Sequence, residues 1–139
     1  MFLSCCCSTL DDVEYNETVP FKPEISRCKV IKVYDGDTIT VAAFLKGQSQ
    51  CYRFSVRMRG IDSPEIKTQN PLEKIAAINS RDKLSAKILN KIVYLKDIGN
   101  EKYGRILADV IFKGDNMSQW MLDNDMAVHY NGGKKVAFA

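Results

Sequence analysis

The sequence predicts a mainly β domain of the α+β class: a five-stranded barrel, closed or nearly so, with packed helices. Three observations predict it. The first half carries three β-branched-rich runs separated by short glycine-containing turns. One long segment with helical apolar spacing follows, opened by Asn70-Pro71. Two more strand-like runs then precede a short helical stretch.

Each element has its own signal. Cys28, Val30, Lys32 and Tyr34 interleave with Lys29, Ile31 and Val33, and Asp35-Gly36-Asp37 ends that run in a turn. Thr38 to Leu45 resumes as strand, and Lys46-Gly47-Gln48-Ser49 turns the chain again. From Gln50 to Arg59 the alternation sets Tyr52, Phe54, Val56 and Met58 on one face and Arg53, Ser55, Arg57 and Arg59 on the other. These runs predict a three-strand meander. Gly60 to Asn70 reads as a loop holding Pro64. A helix then starts with Asn70 as N-cap, Pro71 at the first helical position and Glu73 placed for a capping box. Leu72, Ile75, Ala76, Leu84, Ile88 and Leu89 form its expected buried stripe to about residue 90. Lys91 to Lys96 returns to strand, Asp97 to Gly104 is a loop, and Arg105 to Phe112 is the last long strand. A short helix is expected from about Ser118 to Asn124, burying Trp120, Met121 or Leu122, with Ala127 to Tyr130 extended. Five strands with a helix inserted after the third fit an OB-fold best.

A chain of 139 residues is one domain. Residues 1–25 are acidic and Pro-containing and read as a tail, residues 26–131 as the barrel domain, and residues 132–139 as a short C-terminal tail. A hydrophobic share of 45% and a charged share of 27% make disorder the exception rather than the default. The net charge of +3 suits a polyanionic partner but is shared by many proteins that bind none. No run approaches the roughly 20 apolar residues of a membrane span. Met1 to Leu10 lacks a basic start and the length of a signal peptide, so no secretory signal is expected.

Three of the five cysteines, Cys5, Cys6 and Cys7, are contiguous, without the paired C-x-x-C spacing of a zinc site. The odd total argues against a complete disulfide framework, so a reducing intracellular compartment is expected. Beside Phe2 and Leu3, the cluster offers S-acylation sites that would hold the chain at a membrane, although no glycine follows Met1 for myristoylation. The alternative is a tail with incidental cysteines. Cys5 to Cys7 replaced by serine, with membrane and soluble fractions unchanged, would decide for the tail.

Three short segments carry the chemistry. Asp35-Gly36-Asp37-Thr38 alone is an ordinary tight turn. Arg57-Met58-Arg59-Gly60-Ile61-Asp62-Ser63-Pro64-Glu65 places a second carboxylate at the end of the third strand, with Glu65 three residues on. Glu101-Lys102-Tyr103-Gly104-Arg105 opens the last strand with cations and an aromatic. Each alone is a charged turn or loop; their order and content together are specific.

Together they resemble the staphylococcal nuclease family, the thermonuclease-like proteins, from about Arg27 to Tyr130. The resemblance implies the same OB-fold barrel, here without the family's usual C-terminal helix because the chain ends at Ala139. It implies a metal-dependent phosphodiesterase, a thermonuclease-like endonuclease acting on DNA or RNA and leaving 3′-phosphate ends. Asp37 and Asp62 would be carboxylate ligands of one divalent cation, with the Ser63 main-chain carbonyl as a further oxygen. Hard oxygen donors without His or Cys point to Ca²⁺ or Mg²⁺, and the family precedent favours Ca²⁺. Glu65 would be the general base; Arg57 and Arg105 would grip the scissile phosphate through guanidinium forks; Lys102 and Tyr103 would contact a neighbouring phosphate and sugar. Alanine at Arg57 or Arg105 is expected to cost several orders of magnitude in activity and leave the fold intact. Tyr130 is the nearest counterpart of the family's base-covering aromatic, and His129 reads as structural or surface. A monomer is expected. The competing reading is a non-catalytic OB-fold module for single-stranded nucleic acid, which needs no carboxylates aimed at a phosphate.

Overall fold

β1 (Arg27–Asp35), β2 (Thr38–Phe44) and β3 (Cys51–Met58) form the antiparallel meander expected from the sequence. β4 (Ile61–Asp62) follows, then α1 (Pro71–Ile88), β5 (Ile92–Asn100), β6 (Ile106–Phe112), β7 (Asp115–Asn116), α2 (Met117–Asp123) and β8 (Val128–His129). The structure is a computed structural model and describes residues 9–101 and 104–132. Cys5, Cys6, Cys7, Lys102 and Tyr103 lie outside the described residues. No described helix is long and apolar enough to cross a membrane.

The strand order is β3-β2-β1-β5-β6-β7, and a parallel pairing of β3 with β6 closes the five long strands into a barrel. That closure sets Arg57 against Leu107, two residues beyond Arg105, so the ring of hydrogen bonds carries the two arginines to the same end of the barrel. The interior is filled by Val30, Ile39, Val41, Val56, Met58, Val93 and Val110, all fully buried. Leu84 and Ile88 of α1, and Met117 and Met121 of α2, join the same core. Burying aliphatic side chains of this size stabilises a domain by about 1.5–3 kcal/mol each before chain entropy is counted.

Several expectations change. The alternation in β1 slips at a bulge between Val30 and Lys32 and again between Val33 and Asp35. Cys28, Val30, Val33 and Asp35 are therefore buried, while Lys32 and Tyr34 both face out. In β3 Phe54 packs partly buried against the core, Tyr52 is exposed, and Arg57 is buried beside Val56 and Met58. α1 begins as predicted, with the Asn70 side chain accepting the Leu72 and Glu73 N–H groups at 2.9 and 3.2 Å. Its buried face is Ala77, Ser80, Leu84 and Ile88, while Leu72 and Ile75 are exposed among the described residues. The Glu73 carboxylate forms no capping box. It accepts from Thr68 Oγ1 at 2.8 Å and from the Glu65 N–H at 3.3 Å. β5 runs to Asn100 rather than Lys96, absorbing an irregularity between Lys96 and Gly99 where Asp97 takes a positive φ of 54°. In α2 it is Met117 and Met121 that are buried, with Trp120 and Leu122 only partly so. Ala127 to Tyr130 supplies β8, which pairs with β4 at Ile61↔His129 and Asp62↔Val128.

Candidate active site

The β1–β2 turn builds the first wall. Its tightness is set by the Asp37 N–H, which donates to Asp35 Oδ1 at 3.0 Å. Asp37 Oδ1 accepts from Thr38 Oγ1 at 2.8 Å, and Asp37 Oδ2 accepts from the Ser63 N–H at 2.8 Å. That second bond ties the turn to the chain leaving β4, twenty-six residues later. Gly36 is required by packing. A Cβ there would stand 2.0 Å from Ser80 Oγ and 2.8 Å from Ser63 Cβ, so α1 and the Asp62-Ser63 segment both press on this turn.

Arg57 is the hub. Its Nη1 donates to the Met58 and Ile61 carbonyls at 2.9 and 2.8 Å, bracing the corner from β3 into β4. Its Nη2 lies 3.4 Å from Asp62 Oδ1 and 3.6 Å from Asp37 Oδ2. The guanidinium carbon sits 5.6 Å from the Tyr130 ring centroid, a cation–π distance. Arg105 approaches from the start of β6: its Nη1 donates to Thr38 Oγ1 at 3.4 Å, and its Nε donates to Glu101 Oε1 at 3.1 Å. Asp37, Asp62, Ser63, Arg57 and Arg105 are thus brought together. Glu65 stands on the exposed loop beside them, its N–H held by Glu73 and its charge close enough to bear on Asp35.

The electrostatics follow from burial. Desolvation, reinforced by the neighbouring Asp37 charge, pushes the Asp35 carboxyl up to about 7 from an ordinary 3.8. Burial opposes ionisation of Asp37 as well, but the Arg57 charge and the bonds from Asp35, Ser63 and Thr38 outweigh it and hold Asp37 below its ordinary value. Burial likewise disfavours the charged Arg105, and the hydrogen bond and charge of Glu101 overcome it, raising Arg105 above its usual range.

A hard divalent cation fits this donor set. Asp37 and Asp62 offer carboxylate oxygens within one guanidinium's reach of each other. The crowding of Asp35 on Asp37 is a cost that added positive charge would relieve. Ser63 Oγ is buried with no hydrogen-bond partner among the described residues. Among those residues no three His, Cys, Asp or Glu side chains close on a single point, so the protein would supply part of a coordination shell and water the rest, as hard oxygen-seeking cations accept.

Asp35, Glu101 and Ser80 are not marked as functional by the sequence, and Glu73 is marked only as a helix-capping residue. Asp35 reads from sequence as turn chemistry, though it is half of an Asp-Gly-Asp repeat. Glu101 sits four residues before Arg105, a spacing that could have flagged the pair. Ser80 acts through a tertiary contact to Met126 that no local pattern announces, and Glu73 through bonds to Thr68 and Glu65 that its capping-box spacing does not announce. Beside the site opens a cleft of about 560 Å³, lined by Arg57, Met58, Glu101, Leu107 and Tyr130 among others.

A profile described as "Staphylococcal nuclease homologue" matches residues 55–137, more than half of the chain. An uncharacterized endonuclease of Haemophilus influenzae is 32% identical over 112 residues, covering 77% of this chain and 54% of that relative. A probable staphylococcal-like nuclease of Oryza sativa subsp. japonica, CAN4, is 28% identical over 94% of this chain and 28% of its own length. The staphylococcal-like nuclease CAN1 of Arabidopsis thaliana is 35% identical over 78 residues, 56% of this chain and 22% of that relative. The chain thus spans about half or less of the length of the curated relatives it matches. With a barrel closed between β3 and β6 and the motif carboxylates gathered on Arg57, the matched profile has one reading: the chain belongs to the staphylococcal nuclease family.

Proposed function

We propose that this protein is a Ca²⁺-dependent nuclease that hydrolyses phosphodiester bonds of DNA or RNA within the strand, leaving 3′-phosphate ends. The observation that carries the proposal is the convergence of Asp37 and Asp62 on Arg57 Nη2, at 3.6 and 3.4 Å, with Arg105 one hydroxyl away through Thr38. A surface built only to bind a polyanion gains nothing from buried carboxylates, which repel phosphate unless a cation intervenes.

Asp37, Asp62 and the Ser63 carbonyl would hold Ca²⁺. When bound, it supplies positive charge at the phosphoryl oxygen and favours ionisation of the attacking water. Glu65 takes the proton of that water as its oxygen bonds to phosphorus, a contribution of about 10²–10⁴-fold for a positioned base. The P–O5′ bond breaks, and the departing 5′-oxygen is protonated from solvent. Arg57 and Arg105 answer the second negative charge that builds on the five-coordinate phosphorus; the carbonyls on Arg57 Nη1 keep that guanidinium rigid in readiness. Lys102 and Tyr103 would hold a neighbouring phosphate and sugar. The 560 Å³ cleft, lined in part by Tyr130, takes the nucleoside on one side of the scissile phosphate.

The test is hydrolysis of single-stranded DNA and RNA with Ca²⁺, Mg²⁺ or chelator, by wild type and Glu65→Gln. Turnover with Ca²⁺, lost with chelator and reduced at least a hundredfold in the variant, is expected. Tight binding without turnover under every condition would assign the chain to the non-catalytic module instead.

A further inference from the structure

A strand that enters the 560 Å³ cleft and crosses the arginine pair must leave the site somewhere. A second, shallower cleft of about 260 Å³ is lined by Lys32, Tyr34, Thr38, Thr40, Ser55 and Arg105. The two clefts have no lining residue in common, yet they meet at two bonded or paired couples. Arg105 lines the shallow cleft and its ion-pair partner Glu101 the deep one. Thr38 lines the shallow cleft and Arg57, opposite it in the β2–β3 register, the deep one. The wall between the clefts is therefore the arginine pair itself, where the scissile phosphate would lie.

The shallow cleft is written into the strands. Lys32 pairs with Thr40, and Thr40 with Ser55, so one polar row crosses β1, β2 and β3. The bulges flanking Lys32 and Tyr34 turn both side chains outward, where an unbroken alternation starting from buried Val30 would have sent them inward. The result is a cleft lined by two cations, Lys32 and Arg105, an exposed aromatic ring and the three hydroxyls of Thr38, Thr40 and Ser55. Barrels of this type commonly lay nucleic acid across the outer face of their second and third strands, with cations tracking the backbone and aromatics stacking on bases.

We propose that this cleft is a second nucleotide subsite, holding the nucleotide on the opposite side of the scissile phosphate from the one in the deep cleft. Lys32 pairs with that nucleotide's outer phosphate, the Tyr34 ring stacks on its base, and the Thr40 and Ser55 hydroxyls bond the sugar–phosphate edge. The inference rests on the nuclease reading above and goes further, because it makes the enzyme prefer substrates extended past the cut on one particular side.

The test uses short thymidine oligomers with one ordinary phosphodiester and phosphorothioate linkages elsewhere, which keep the backbone charge. One series is lengthened 5′ to the ordinary bond, the other 3′ to it. In the wild type, lengthening on one side raises kcat/KM by about tenfold, the scale of one stacked base plus one paired phosphate. Tyr34→Ala and Lys32→Ala each cut that extended-to-short ratio severalfold, Lys32→Glu cuts it further, and none alters the ratio for the other series. A general loss of structure would lower every rate together and leave both ratios alone. If the three variants keep both the wild-type urea midpoint and the wild-type ratios in both series, the subsite is overturned while the nuclease reading stands. A wild type that cuts no oligomer removes the nuclease reading and the subsite with it.

Discussion

Glu101 and Arg105 are locked together: the Arg105 Nε donates to Glu101 Oε1 at 3.1 Å, and a contact from Nη2 to Oε2 completes the fork. Arg105 therefore offers its fork to a carboxylate in the same geometry it would offer to a phosphate. The pair is partly exposed, which limits its worth to roughly 1 kcal/mol or less. A phosphate arriving with a cation competes for the same fork, and Glu101 also adds negative charge to the deep cleft. Glu101→Gln should lower the KM for single-stranded DNA by about two- to fivefold, the rate equivalent of a weak ion pair. Arg105→Ala should cost about 10²–10³-fold in kcat. A KM that rises in Glu101→Gln would mean that Glu101 aims Arg105 rather than competing for it.

Arg57 differs from Arg105 in what its loss does to the fold. It is buried, braces two carbonyls, and neutralises two buried carboxylates. Arg57→Ala leaves Asp37 and Asp62 without their shared cation, a change that destabilises by about 3–5 kcal/mol in comparable buried networks. This reverses the expectation, natural from sequence, that the variant is inactive but well folded. Urea denaturation decides: Arg57→Ala should unfold at much lower urea, and adding Asp37→Asn should restore part of the loss. A midpoint within error of wild type would show that the clamp is unimportant to stability.

The contrast between the two arginines marks what was legible. Strand count, the Asn70 cap and the order of the three motifs are local patterns, and local patterns survive in the fold. Barrel closure, which sets Arg57 beside β6, requires long-range pairing, yet strand number and spacing constrain it enough to be inferred. The bulges in β1 were invisible because Lys32 and Tyr34 continue an unbroken β-branched run; only the partner strand decides where the register slips. Glu73 carries a capping-box signature, but Thr68 Oγ1 and the Glu65 N–H outcompete the Asn70 N–H for its carboxylate, and that N–H bonds Thr68 Oγ1 instead. Leu72 and Ile75 have helical spacing, yet both are exposed among the described residues. Periodicity states which face is apolar, and tertiary structure decides how much of it is covered.

Gly36 links helix packing to the site. A methyl group there collides with Ser80 Oγ and Ser63 Cβ, and Ser80 is not free to swing because its hydroxyl bonds the Met126 carbonyl at 2.8 Å. Gly36→Ala should destabilise by about 1–3 kcal/mol, the usual cost of forcing an extra methyl into a packed interior. Because the strain falls between Asp35 and Asp37, activity should drop more than stability explains. Adding Ser80→Ala removes the nearest clash and should recover part of the thermal midpoint, leaving the residual Ser63 contact. Equal midpoints for wild type and Gly36→Ala would mean that α1 yields easily at this point.

Cys28 and Cys51 should behave as opposites. Cys28 is buried in the barrel with its thiol 3.8 Å from the Val93 carbonyl, and burial pushes that thiol from 9.0 up to about 12. Cys51 is exposed at the start of β3. In a chain with Cys5, Cys6 and Cys7 replaced by serine, a thiol reagent at pH 8 should label Cys51 at once and Cys28 only as the protein unfolds, since the thiolate is the reactive form. Linkage fixes the sign of the stability effect. The folded chain keeps the Cys28 proton over a range where the unfolded chain has lost it, so unfolding releases a proton between about pH 9 and 12. The contribution is fully present below pH 9 and fades as pH rises toward 12. Compared with Cys28→Ala, whose core has a small cavity but no such titration, the wild type should lose denaturation midpoint more steeply from pH 8 to pH 10.5. Parallel pH profiles for the two proteins, or equal labelling rates for the two cysteines, would show that the barrel interior is open to water at Cys28.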